Sequence, residues 1–184
     1  MKPPSIAAWR AAHLVERLGR LLRASDFEGG LNPAQREALR YLARANRISR
    51  TPAALADYFG SSRGTVSQTL IALEAKGLIE KTKSAKDARV VYLSLTAAGR
   101  AAHDKDGEVS LARDIDAAGE AGLIAAALEG ALKAALVRRG GKAFGVCKTC
   151  RHHERRNGAL RCALLNENLT AQDAQAICAE MEAA

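Results

Sequence analysis

The sequence predicts a mostly α-helical protein with one small β-hairpin, and three observations carry that expectation. Alanine and leucine dominate an apolar content of 48%, while aromatic residues make up only 4%. That balance favours packed helices, because sheets draw on β-branched and aromatic side chains. Apolar residues recur at three- and four-residue spacing through most of the chain, and between residues 78 and 95 this gives way to alternation rich in β-branched residues, the mark of strands.

The 184 residues suffice for one main core with a small appendage, since a domain takes about 100 to 200 residues. With 26% charged residues the composition is that of a globular chain and not of a disordered one. A net charge of +8 points to a positive surface that attracts polyanions such as nucleic acid. A membrane partner is disfavoured, because no stretch approaches the roughly 18 apolar residues of a spanning helix. The first apolar run contains Trp9, Arg10 and His13, which is unlike a secretory leader, so a cytoplasmic protein is expected.

Punctuation places the elements. Ile6, Trp9, Leu14, Leu18, Leu21 and Leu22 fall near helical spacing, and the run ends in a loop at Asp26-Phe27-Glu28-Gly29-Gly30. Asn32 followed by Pro33 starts a second helix, since Asn caps free amides and Pro costs nothing at the first helical position. Its stripe is Leu39, Leu42 and Ala43, and its end lies near Asn46. Thr51 and Pro52 repeat the start signal for a short helix that Gly60 stops. Ser62 then caps a helix with Val66, Leu70 and Leu73 on one face and Arg63, Ser67 and Gln68 outward. Two helices so closely joined make a helix-turn-helix.

The segments LIEKTKS and ARVVYLSL, joined by a turn, form the hairpin. Thr96 caps another helix from Ala97, and Gly107, Gly119 and Gly122 interrupt the chain beyond it. Leu123, Leu128, Leu132 and Leu136 give a long terminal helix that ends at Gly140-Gly141, a hinge into a tail. Residues 1–140 are expected as one domain, with a DNA-reading lobe at about 32–96, and residues 141–184 as a cysteine-rich tail.

The segment LADYFGSSRGTVSQTLIALEAKGLIEKTKSAKDARVVYLSLTAAGR resembles the MarR family of winged helix-turn-helix regulators. The likeness lies in the spacing of the helix-turn-helix, in Asp87 and Arg89 at the wing tip, and in the Leu-Thr-x-x-Gly that opens the next helix, and flanking helices extend it over about residues 5–140. It implies a homodimer built by the terminal helices; palindromic operator DNA is the expected partner and a transcriptional repressor the expected role, with a small-molecule effector bound between the dimer helices and the reading lobes as one hypothesis for its control.

Independent of the family, a recognition helix presents its first turns to the major groove, where Arg and Gln match guanine and adenine edges. Ser62, Arg63, Thr65, Ser67, Gln68 and Thr69 are therefore the expected reading surface. Lys81, Lys83, Lys86 and Arg89 are placed for phosphates. By family analogy Arg89 enters the minor groove, with Asp87 orienting it.

The four cysteines stand as Cys147-x2-Cys150-x11-Cys162-x15-Cys178. In a reducing compartment such a cluster reads as metal or redox chemistry before disulfides. Four thiolates are the ligand set of a structural zinc or of an iron–sulfur cluster. Both remain open, with zinc ahead and the cluster making the tail a redox or metal sensor. His152 and His153 are expected in a basic exposed loop. Thr170 and Asp173 make a capping box that would put Cys178 on a short helix with Ile177 and Met181. A thiol oxidoreductase built on CxxC is a lower alternative, because that chemistry needs a βαβ setting and the tail shows no evident strand pattern. No catalytic set is discernible, so an enzyme is not expected.

Overall fold

The computed structural model describes residues 3–24, 30–140, 144–156 and 158–182. The expected loop at Asp26–Gly29 and the Gly141 part of the expected hinge lie outside the described residues. Helix α1 (Ile6–Ala24) is followed by α2 (Pro33–Arg44), α3 (Pro52–Phe59) and α4 (Arg63–Ala75). Each of the last three starts on the cap its sequence announces. Asn32 accepts from the Gln35 N–H and Gln35 returns the bond, Thr51 accepts from Ala54, and Ser62 from Thr65. Gly60 ends α3 at φ 61°, where a side chain would be strained.

Strands β1 (Ile79–Lys83) and β2 (Val91–Leu95) pair antiparallel with Ile79 opposite Leu95 and Lys83 opposite Val91. They form the wing, so the protein is a winged helix-turn-helix of mostly helical content. The core lies where α2, α3, α4 and the wing converge, with Tyr41, Leu42, Leu55, Leu70, Leu73 and Leu93 almost wholly buried. Removing such side chains from water is the main source of stability, worth about 1.5–3 kcal/mol each.

After the wing come α5 (Ala97–Asp104), α6 (Gly107–Ala117) and α7 (Ala121–Arg138). The glycines read as interruptions bracket a full helix: Gly107 is the first residue of α6, behind an Asp106 cap, and Gly119, at φ 83°, makes the corner into α7. Neither α1, α6 nor α7 buries any residue, and Trp9, Leu123 and Leu132 lie open along them. Among the described residues no helix is long and apolar enough to cross a membrane.

The tail corrects two expectations. It contains strands: β3 (Gly145–Val146), β4 (His153–Arg156), β5 (Ala159–Cys162), β6 (Glu167–Leu169) and β7 (Ile177–Cys178). Strand β3 pairs with β7, and β4-β5-β6 form a second small sheet. Strands of two to four residues are too short to show alternation. The capping box at Thr170 and Asp173 is present, but α8 (Ala171–Gln175) stops before Ile177. Cys178 is therefore on a strand opposite Gly145, because the chain turns extended at Ala176 and its backbone pairs with β3.

Candidate nucleic-acid interface

Val66, Leu70 and Leu73 anchor one face of α4 in the core, which fixes the opposite face outward. Arg63, Thr65, Ser67 and Gln68 are exposed there and Thr69 half-buried. Ser62 does more than cap: its hydroxyl also bonds that of Thr65 at 2.8 Å, and Thr69 donates to the Thr65 carbonyl at 3.2 Å. The start of α4 thus presents ordered hydroxyls and free helix N–H groups beside an Arg and a Gln. Such a terminus attracts anions, and Arg and Gln can read base edges.

Three of the four wing cations are held by carboxylates. Lys81 pairs with Glu74 at 2.6 Å, and Lys86 hydrogen-bonds Glu167 of the tail. Asp87 grips Arg89 from two sides, Nε to Oδ1 at 3.0 Å and Nη2 to Oδ2 at 2.9 Å. Those bonds hold the Asp87 carboxyl below its usual range. Lys83 is exposed. The Lys86 bond likewise lowers Glu167, with Arg47 adding to it.

All four cysteines are free and buried. Cys147, Cys162 and Cys178 pack together with Leu169, and Cys150 accepts the N–H groups of His152 at 3.5 Å and Glu182 at 3.4 Å. Burial first, and then the neighbouring Cys178, Cys162 and Cys150, push the Cys147 thiol up to about 12. Burial also raises Cys178, against hydrogen bonds from the Glu180 N–H and the Asn46 and Ser49 side chains. Among the described residues no group of three or more His, Cys, Asp or Glu side chains is closed into a metal-holding arrangement. The chemistry of the donor set nonetheless suits a soft metal: four desolvated thiols, with N–H groups aimed at sulfur in the way that orients and stabilises thiolate ligands. His152 and His153 are half-buried and not in an exposed loop. His153 lies on β4 with Nδ1 3.9 Å from the Cys147 sulfur, and His152 Nε2 is 3.3 Å from a Glu182 carboxylate.

The sequence did not reveal that the tail docks on the reading lobe. The Asn46 N–H donates to the Ile177 carbonyl at 2.9 Å, the Arg47 N–H to Asp173 at 3.1 Å, and the Ala179 N–H to the Ser49 hydroxyl at 2.9 Å. Phe144 meets Tyr58 edge-on, ring centres 5.1 Å apart. A cleft of about 210 Å³ remains between the surfaces, lined by Ser49, Asp57, Tyr92, Leu165 and Glu180 among others. These bonds run mostly through backbone groups, which leave no trace in residue types.

Residues 29–90 match the model of the MarR family. No curated protein is similar in sequence. Among solved structures, the chain is similar to S. aureus MepR in complex with DNA, at 19% identity and TM-score 0.50 over 71% of this chain and 99% of that one. A MepR variant bound to an oligodeoxyribonucleotide gives 18% and 0.50 over 71% and 99%. A MarR family transcription regulator gives 21% and 0.50 over 72% and 86%. At these identities the likeness is one of fold.

Proposed function

Taking residues 29–90 as a winged helix-turn-helix of the MarR family, we propose that this protein is a sequence-specific DNA-binding transcriptional regulator. The observation that carries this is α4: its apolar face is fixed in the core while Arg63, Thr65, Ser67 and Gln68 stand outward behind the Ser62 cap, with a cationic wing alongside. Similarity to MepR, solved with DNA, supports the same partner. The reading surface is Ser62, Arg63, Thr65, Ser67, Gln68 and Thr69. Lys81, Lys83, Lys86 and Arg89 meet phosphates.

The unburied faces of α1, α6 and α7 support a homodimer, which a palindromic operator requires, and repression by operator occupancy is the simplest outcome. A small-molecule effector would shift the population competent for DNA. The tail is a four-cysteine metal site of Cys147, Cys150, Cys162 and Cys178, holding zinc or alternatively an iron–sulfur cluster. Either would staple a segment too poor in large apolar residues to fold alone. The function is binding, without a catalytic step, in the cytoplasm.

Operator binding tests the reading surface, using a duplex that the protein selects from a random library. Arg89→Ala is expected to weaken binding and lower the slope of log affinity against log salt by about one, the share of one phosphate contact. Gln68→Ala is expected to relax selection at one base pair, where a bidentate contact is worth about 1–3 kcal/mol of discrimination. Normal binding by both variants would show that this surface does not read DNA.

A further inference from the structure

The tail hairpin of β4 and β5 carries three arginines, Arg155, Arg156 and Arg161, against one carboxylate, Glu154. Arg155 and Arg156 are exposed and Arg161 is half-buried. None of the three forms an ion pair among the described residues, and Arg155 reaches only the Gly158 carbonyl, at 3.5 Å. Elsewhere the tail and the turn beside it neutralise their charges. Arg151 lies 3.8 Å from Glu182, and Arg47 lies 3.4 Å from both Glu167 and Asp173. Like charges left unpaired on one small hairpin repel one another, and a polyanion is the partner that relieves them.

The register fixes which face these cations share. Arg161 stands opposite both Glu154 on β4 and Asn168 on β6, and Arg156 is two residues from Glu154 along β4. Strand alternation therefore puts Arg156 and Arg161 on one face, while Cys162 and Leu169 take the other and pack in the tail's own core. Glu154 is directly across from Arg161, yet the two form no ion pair. Strand β6 joins this sheet to the reading lobe. Glu167 bonds Lys86 in the turn at the wing tip, and Arg47, in the turn before α3, donates to the Asn168 carbonyl. Neighbouring strands lie about 4.8 Å apart, so Arg161 and Arg156 stand one and two strands beyond the strand that touches a wing cation. Positive side chains thus continue from the wing tip across the sheet.

We propose that the outward face of the β4–β5 hairpin is a second DNA contact, in which Arg156 and Arg161 hold backbone phosphates flanking the base pairs read by α4 and the wing; this rests on the DNA-binding reading above. Two observations commit the face to duplex backbone: its unpaired cations complement phosphate, and through Glu167 and Lys86 it is continuous with the wing. Arginine suits the task, because its planar fork binds two phosphate oxygens at once. Glu154, exposed on the same face, reduces the attraction without cancelling two arginines. Phosphate contacts carry no base information, so the hairpin adds affinity and salt dependence and leaves sequence choice to α4 and the wing.

The test uses the full-length protein and two duplexes. One is the shortest that keeps full base selection, and the other is the same sequence lengthened by about one helical turn, roughly ten base pairs, at each end. Fluorescence anisotropy over a salt series gives the affinity for each and the slope of log affinity against log salt. The wild type is expected to bind the longer duplex about tenfold or more tighter at about 0.1 M salt, with a slope steeper by about two per bound chain, the share of two phosphates. Arg156→Gln/Arg161→Gln should lose both differences and bind the short duplex as the wild type does. Arg156→Lys/Arg161→Lys keeps the charge and should keep the slope. If the glutamine pair does not fold, Arg156→Gln alone, on the edge strand β4, should lose about half of the difference in slope. A wild-type slope on the longer duplex in the folded variant, or equal weakening on both duplexes, overturns the flanking contact and leaves the reading surface standing. Absence of base selection by the wild type overturns the DNA-binding reading itself, and the flanking contact with it.

Discussion

Asp106→Asn is expected to destabilise the protein by about 3–5 kcal/mol, the range for removing one partner of a buried charge cluster. The Asp106 side chain is 4% exposed, and its carboxylate receives Arg40 Nε at 2.6 Å and Nη2 at 3.2 Å, with Arg36 Nη1 at 3.4 Å. Asparagine keeps the oxygen that accepts the Glu108 N–H at the start of α6, so the loss reports the charge and not the cap. Burial pushes the Asp106 carboxyl up, but the Arg40 bond, the Glu108 N–H and the two guanidinium charges outweigh it and hold the group below its ordinary value. A folded value below the unfolded one means stability that is present above about pH 4, the free carboxyl value, and is lost as pH falls through the folded value. Urea melts of wild type and Asp106→Asn should therefore differ widely near pH 7 and converge in acid. A difference that stays constant with pH would show that the charge is not the cause. Because Asp106 begins α6 while Arg36 and Arg40 belong to α2, the same variant should loosen the outer helices from the reading lobe.

Gly99→Ala is expected to cost at least about 2 kcal/mol, in the upper range for overpacking. A Cβ there would stand 2.0 Å from the Leu78 carbonyl oxygen and 3.0 Å from its carbon, and both are backbone atoms at the base of the wing. That carbonyl already accepts the Thr96 N–H at 3.1 Å, and the Thr96 hydroxyl donates to Gly77 at 2.7 Å, so α5 cannot retreat without breaking the bonds that seat it. At roughly 2–4 °C per kcal/mol for a chain of this size, the thermal midpoint should fall by about 4–8 °C or more. Gly122→Ala makes the contrast, since nothing lies within 4 Å of its added carbon and alanine favours the helix by about 1 kcal/mol. Equal midpoints for the two alanine variants would show that the close approach at Gly99 is not what holds α5 to the wing.

The reading lobe was legible because its boundaries are written in side chains with one purpose. Asn32, Thr51 and Ser62 cap, Pro33 and Pro52 start helices, Gly60 stops one, and Val66, Leu70 and Leu73 declare the buried face of α4. Even Gly99 was visible as part of a motif, although the carbonyl it faces was not. The α6 helix was hidden because glycine at its first position reads as a break, while its real cap, Asp106, also serves a distant ion cluster. In the tail the cysteine spacing announced a cluster, but its strands are held by backbone pairing over two to four residues, too short for any period. Asn46 was legible only as the end of a helix and Ser49 not at all, since their partners, the Ile177 carbonyl and the Ala179 N–H, lie more than a hundred positions away.

That distance also sets an order of events. Ala179 and Ser49 are 130 residues apart along the chain, and Arg47 and Asp173 are 126 apart. During synthesis the capped helices of the reading lobe can form from local contacts soon after they emerge, as segments rich in such contacts do. The turn between α2 and α3 must then wait, half-supported, for a strand made about 130 residues later. A nascent chain thus holds a nearly complete reading head long before it holds the piece that tightens it, and chains that stop short of β7 would carry the recognition helix without its brace.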